Sequence, residues 1–179
     1  MRNYFTADCH FGHANIVKYC KRPFKDLDDM NETIIHNWNE RVKPEDTVFH
    51  IGDFCFKNTT NMIHRGEGTI HPATYYEKKL NGKIIFIKGS HDKNNSCKTC
   101  ILNTEIELGG YRIGLVHDPK HVKPKFDFNL VGHVHSLWKC KRISNVDMVN
   151  VGVDMWNFRP ITIEEIISEY ARWKKTLKT

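Results

Sequence analysis

Residues 83–92 read Lys83-Ile84-Ile85-Phe86-Ile87-Lys88-Gly89-Ser90-His91-Asp92. Four consecutive β-branched or aromatic residues make a short strand buried on both faces, as in the parallel layer of an α/β protein. Gly89 then lets the chain turn sharply, and a serine, a histidine and an aspartate follow. The same unit, a buried strand running into a polar cluster, recurs along the chain. Tyr4 to Ala7 delivers Asp8-Cys9-His10, and Thr47 to Ile51 delivers Gly52-Asp53. Ile106 to Leu108 and Tyr111 to Val116 flank a Gly109-Gly110 turn, and the second arm of this hairpin delivers His117-Asp118. Phe126 to Val131 delivers Gly132-His133-Val134-His135, and Met148 to Val153 delivers Asp154.

Helical periodicity lies between and after these strands. Met30, Ile34, Trp38 and Val42 recur every fourth residue, which predicts an amphipathic helix over Asp28–Val42. Thr162 and Glu165 form a capping-box pattern before Ile163, Ile166, Ile167, Tyr170 and Ala171, predicting a last helix that ends near Trp173. Residues 56–74 are polar and non-periodic, and they include His64, Arg65, Gly66, Gly68 and His71; a connection of this length reads as an active-site loop or lid. The fold class is α/β with mixed sheets, in one domain over residues 1–179. In open α/β sheets ligands sit beyond the carboxyl ends of the strands, where every polar cluster falls.

The 179 residues carry 27 Lys+Arg against 21 Asp+Glu, a net charge of +6 that is compatible with a polyanionic partner without naming one. No apolar run approaches membrane-spanning length, so no membrane partner is expected. The opening Met1–Asp8 lacks the apolar core of a secretory signal, and six scattered cysteines do not resemble a disulfide framework. A reducing, cytoplasmic compartment is the expectation. Cys97 and Cys100 have knuckle spacing but no second pair at zinc-finger distance, and they read as two cysteines of a connecting segment. Alternation turns Cys9 away from its neighbours and into the core.

Eleven histidines are many for this length. Carboxylates and imidazoles together are ligands of divalent transition metals. Asp8 and His10 are two residues apart at a strand exit, His133 and His135 repeat the spacing, and Asp53, His91 and His117 come singly from other exits. Such a set can hold two ions close together with one carboxylate bridging them. Two adjacent ions suit an in-line displacement at phosphorus.

Asp8-Cys9-His10, Gly52-Asp53, Gly89-Ser90-His91-Asp92, His117 and Gly132-His133-Val134-His135 occur in the order of the motifs of a known superfamily. On these the chain resembles the calcineurin-like metallophosphoesterases, in particular their small bacterial and phage-type members. The resemblance implies a two-sheet β-sandwich flanked by helices. It places Asp8, His10, Asp53 and His135 on one ion, and Asp53, His117 and His133 on a second. His91 becomes the catalytic histidine, oriented by Asp92. The expected cofactors are two divalent metal ions, Mn²⁺ before Fe or Zn. The expected substrate is a phosphodiester, of the nucleotide or nucleic-acid kind, attacked by a metal-bridging hydroxide.

One position departs from the pattern. The family's ligand asparagine is Ser90 here, and a hydroxyl is a shorter, poorer neutral ligand, so weaker holding of the second ion and reduced activity are expected. This departure supports an alternative in which the fold serves as a catalytically impaired binding scaffold. A third reading is a nucleic-acid-binding module with structural ions. Around the site, His13 either touches substrate or opens a helix. Lys120 and Lys123, with His121 and Lys125, form either a phosphate-attracting rim or a solvated basic loop, and Arg159 is a further candidate phosphate contact.

Overall fold

In the computed structural model, residues 1–56, 62–64, 68–92 and 99–177 are described. The chain runs β1 (Asn3–Thr6), α1 (Ala14–Tyr19), α2 (Leu27–Arg41), β2 (Thr47–Ile51), β3 (Met62–His64), β4 (Gly68–Ile70), α3 (Ala73–Glu77) and β5 (Lys83–Ile87). It continues with β6 (Asn103–Leu108), β7 (Tyr111–Val116), β8 (Phe128–Val131), β9 (Cys140–Ile143), β10 (Val146–Asn150), β11 (Ile161–Thr162) and α4 (Ile163–Thr176).

Two sheets carry the architecture. The first has the order β11-β1-β2-β5, the second β6-β7-β8-β10-β9. In the first, β1, β2 and β5 are parallel and β11 lies antiparallel on β1. In the second, β7, β8 and β10 are parallel, with antiparallel β6 and β9 at the edges. Alternation along the central strands explains the layering. Tyr4, Val48, Ile84 and Phe86 face a core shared with α1, α2 and α3. Phe5, Ala7, Ile51 and Ile87 face Ile113, Leu115, Phe128, Leu130 and Val149 of the second sheet, with Ile163, Ile166 and Tyr170 of α4 in the same core. The expected two-sheet sandwich flanked by helices is therefore what these residues build.

The helix ends follow their capping chemistry. Asp26 accepts from the Asp29 N–H at the start of α2, and Thr162 and Glu165 close a reciprocal capping box on α4. Several boundaries differ from the sequence expectation. β8 starts at Phe128 instead of Phe126, because Phe126 packs where a Gly114 side chain would stand. The strand expected to reach Val153 stops at Asn150, because Val153 opens a 3₁₀ turn. Residues 56–74 are not a featureless loop: they contain the β3–β4 hairpin and the start of α3. His71 stacks on Tyr75 of that helix at 3.7 Å between ring centroids. Arg65, Gly66 and Cys97 lie outside the described residues, as do the side chains of His64 and the rest of the hairpin apart from Thr69. Cys9 is fully buried in the helix-side core, as alternation predicts. Among the described residues no helix is long and apolar enough to cross a membrane.

Candidate metal centre

The site forms where the carboxyl ends of β1, β2, β5, β7 and β8 converge. Past β1 and β2 the two exits remain hydrogen-bonded to each other. The Asp8 N–H donates to Gly52 O, His10 N–H to Asp53 O and Phe11 N–H to Phe54 O, at 2.9–3.0 Å. This irregular ladder sets Asp8 and Asp53 side by side. It also requires unusual backbone: Asp8, His10, Asp53, His133 and His135 all have positive φ, between 46° and 71°. For residues with a Cβ this costs roughly 1–2 kcal/mol each, and such strain concentrates at functional sites.

Two glycines make the convergence possible. A Cβ on Gly89 would stand 2.1 Å from the Asp53 nitrogen and 2.2 Å from its Oδ1, and one on Gly52 would stand 2.4 Å from His117 Nδ1. The neighbouring strand exits touch at these points, so nothing larger than hydrogen fits.

The floor of the site is buried and its mouth is open. Asp8, His10, Asp53 and His117 are buried, whereas Ser90, His91 and His133 are exposed. Two groups of side chains each bring their ligand atoms within 4.8 Å of one another: Asp8 with His10 and His135, and Asp53 with His117 and His133. Asp53 also links the groups, since its Oδ2 lies 3.6 Å from His10 Nε2 and 3.2 Å from His117 Nε2. His10 is 1% exposed, yet neither of its ring nitrogens has a hydrogen-bond partner. A buried imidazole so placed is a costly arrangement unless an ion takes the nitrogen. The donor set and this orphaned imidazole fit divalent metal.

Supporting contacts orient the ligands. His117 Nδ1 lies 2.9 Å from Ile51 O, so Nδ1–H donates there and Nε2 faces the site. His133 N–H donates to both Asp8 oxygens at 3.0 and 2.9 Å. His91 N–H donates to Asp53 Oδ1 at 2.8 Å, and Ser90 Oγ lies 3.2 Å from Asp53 Oδ2. His135 Nδ1 is 3.1 Å from Asp154 Oδ2, which leaves Nε2 for an ion. Asp154 is in turn held at 2.8 Å by both Nε and Nη2 of Arg22. The buried Arg22 guanidinium also donates to the carbonyls of Asp8 (2.7 Å) and Cys9 (3.1 Å). Cys20, His135 and Asp154 form a third group of potential ligands. Because the guanidinium already occupies both Asp154 oxygens, that group acts as a counter-charge chain and not as another cation centre.

Arg22 and Asp154 carry this support, and neither was assigned to the site from sequence. Asp154 already stood at a strand exit, which is the signal that marks it; Arg22 is one cation between two helices, with nothing in its neighbourhood to distinguish it. The Asp92 carboxylate accepts from the backbone N–H groups of Asp53 (2.9 Å), Phe54 (3.1 Å) and Gly89 (2.7 Å), so it clamps the loops on either side of the site. The Arg159 guanidinium lies 3.6 Å from Glu165 of α4. His13 does join the cluster: it precedes α1, is buried, and its ring lies 5.5 Å from His10 and 6.2 Å from His91. Lys120 and Lys123 line a cavity of about 770 Å³ that also borders Ser90 and His117.

Burial and neighbouring carboxylates pull the titratable groups of the cluster in opposite directions. Burial opposes a charged His117, but the carboxylates of Asp53 and Asp8 overcome it and raise its pKa to about 9. Burial likewise opposes charge on His135, and the Asp154 carboxylate outweighs it, raising the pKa to about 10. Burial lowers His13 to about 4 and holds His10 well below its usual range, so both are neutral at pH 7. Asp8 is raised by its complete burial.

No protein-family model matches the chain. The uncharacterized protein MJ1445 of Methanocaldococcus jannaschii is 34% identical over 173 residues, spanning 92% of this chain and 88% of the archaeal one. The chain belongs to the family of that protein. A solved structure of a protein of unknown function, AQ665 from Aquifex aeolicus, shares 27% identity and a TM-score of 0.69 over 93% of this chain and 98% of its own. A predicted phosphoesterase from Streptococcus pneumoniae overlaps more loosely, with 16% identity and a TM-score of 0.43 over 84% of this chain and 71% of its own.

Two outcomes are expected. Asp154→Asn, which keeps the shape but removes the counter-charge of His135, should weaken divalent-metal binding by about 10- to 100-fold, read by isothermal titration calorimetry; unchanged affinity would show that Asp154 does not support the site. The raised pKa values of His117 and His135 stabilise the metal-free fold most fully below the unfolded value of 6.5, and that stability is lost as pH rises through about 9 and 10. In chelator the melting temperature should therefore fall between pH 7 and 9.5. Over the same range the stabilisation by added Mn²⁺ should grow, since the ion no longer has to displace protons. A flat metal-free profile would contradict this assignment.

Proposed function

We propose that this chain is a dinuclear-metal phosphoesterase, acting on phosphodiesters in preference to monoesters. The observation that carries the reading is the position of Asp53: one carboxylate oxygen lies near imidazoles of both ligand groups, which is where a bridging ligand belongs. Asp8, His10 and His135 would hold one ion with Asp53, and His117 and His133 the other. Mn²⁺ is the preferred ion, with Fe or Zn as substitutes, because a nitrogen and oxygen donor set discriminates poorly among them. When bound, the ions would supply charge neutralisation for the phosphoryl group and activation of water.

The chain's own residues do the rest. His91 stands exposed at the mouth, 5.4 Å between ring centroids from His10, where an imidazole can give a proton to a departing ester oxygen. Its backbone N–H fixes Asp53, so loop and ligand move as one. The Asp92 clamp holds the Gly89–His91 turn against the Asp53 exit. Ser90 donates toward Asp53, and its hydroxyl is a shorter reach to an ion than a side-chain amide would be. That favours a second ion held less tightly than the first.

Hydrolysis of bis(p-nitrophenyl) phosphate with added Mn²⁺ tests the reading. Turnover should require the ion, and His91→Ala should lower kcat by about 10²- to 10⁴-fold while metal content stays the same. Ser90→Asn should lower the Mn²⁺ concentration needed for half-maximal rate. Absence of metal-dependent turnover in both the wild type and Ser90→Asn would remove the enzyme reading for this substrate class and leave the scaffold.

A further inference from the structure

The cavity of about 770 Å³ beside the second ligand group is larger than one phosphoryl group needs, and it lies in the size range of small-molecule sites. Ser90 and His117 belong to its wall, so a molecule with a phosphate at the ligand cluster extends into it directly. Three lysines, Lys88, Lys120 and Lys123, also line it, and among the described residues none has a carboxylate within ion-pair distance. Other lysines of the chain are matched: Lys125 pairs with Glu105, Lys139 with Glu169 and Lys174 with Asp147. The one acidic residue of the lining, Asp118, accepts from the Lys120 backbone N–H at 2.9 Å, where it caps the 3₁₀ turn Pro119–His121.

The remaining wall combines the apolar Leu102, Val116 and Val122 with the polar Asn103 and His121. Val116 and Val122 belong to a small cluster on the outer face of the second sheet, and Leu102 at the rim is 63% exposed. Cations beside an exposed leucine suit a ligand that carries both an anion and a flat, weakly hydrated ring. A bare phosphate chain would leave Leu102 in water, and a simple aryl ester would leave the lysines without a partner.

We propose that this cavity binds a nucleotide that carries one phosphate beyond the phosphate at the ligand cluster, with its base against Leu102, Val116 and Val122 and its extra phosphate on Lys88, Lys120 and Lys123. This rests on the phosphoesterase reading for the position of the first phosphate. It adds the substrate class and the residues that recognise it.

Two chromogenic substrates differing in one group test the proposal: thymidine 5′-(p-nitrophenyl phosphate) with and without a 3′-phosphate. Water cleaves the aryl ester in each, releasing p-nitrophenolate. The 3′-phosphate should lower KM by about tenfold, as expected for a charge-assisted contact. The double substitution Lys120→Gln/Lys123→Gln, checked for an unchanged melting temperature, should remove most of that difference. Turnover with equal KM for both substrates overturns the proposal and leaves the phosphoesterase reading intact. If neither substrate is turned over, calorimetry with thymidine 3′,5′-bisphosphate decides. Lysine-dependent binding then upholds the cavity assignment while the phosphoesterase reading fails, and binding no tighter than that of inorganic phosphate overturns it. Competition by a short oligothymidylate tells a free nucleotide from a strand end as the source of the same chemistry.

Discussion

Two carboxylates, Asp8 and Asp53, are buried side by side at the ends of adjacent parallel strands. Such a pair is unfavourable in a low-dielectric interior unless positive charge or hydrogen-bond donors surround it. The neighbouring structure supplies both. His133 and His91 present their backbone N–H groups to the two carboxylates, and His117 lies against Asp53. Arg22 anchors the Asp8 and Cys9 carbonyls from below. The left-handed backbone at five ligand positions follows from the same demand, because side chains leaving parallel strands in extended conformation would alternate between faces and not converge. The strain stored there is offset by packing in the two large cores, where the strands carrying these exits are held from both sides.

Much of this organisation is legible in the sequence, for a physical reason. A strand covered by helices on one face and by a second sheet on the other must be apolar throughout, so its end is marked by the abrupt change to glycine and polar residues. β1, β2, β5, β7 and β8 all show that change, and α2 and α4 show a regular apolar period. The elements that escaped reading lack those constraints. β9 is an edge strand with Lys141 and Arg142 exposed, β11 is two residues long, and α1 and α3 are too short for a period to appear.

The clustering of potential ligands was legible, and the supports around them were not. Histidines and aspartates at strand exits announce themselves by type and place. The Asp92 clamp does not, because a carboxylate that holds backbone looks in sequence like one that holds a neighbouring imidazole. Arg159 shows the same ambiguity: a cation two residues before a strand can face substrate or a helix, and only the fold brings it within 3.6 Å of Glu165 in the acidic first turn of α4. Arg22 depends wholly on long-range geometry, since its partner Asp154 lies 132 positions away.

That separation also orders the events of synthesis. The candidate ligands run from Asp8 to His135, and the support of His135 comes from Asp154. On a ribosome the first strand and its carboxylate emerge early and wait, without their histidine partners, for β7, β8 and the turn after β10. The ligand groups cannot close on any nascent chain that has not yet released His135, and their support is complete only after Asp154 follows. Ion loading is therefore a late event in the life of the polypeptide, following assembly of both sheets.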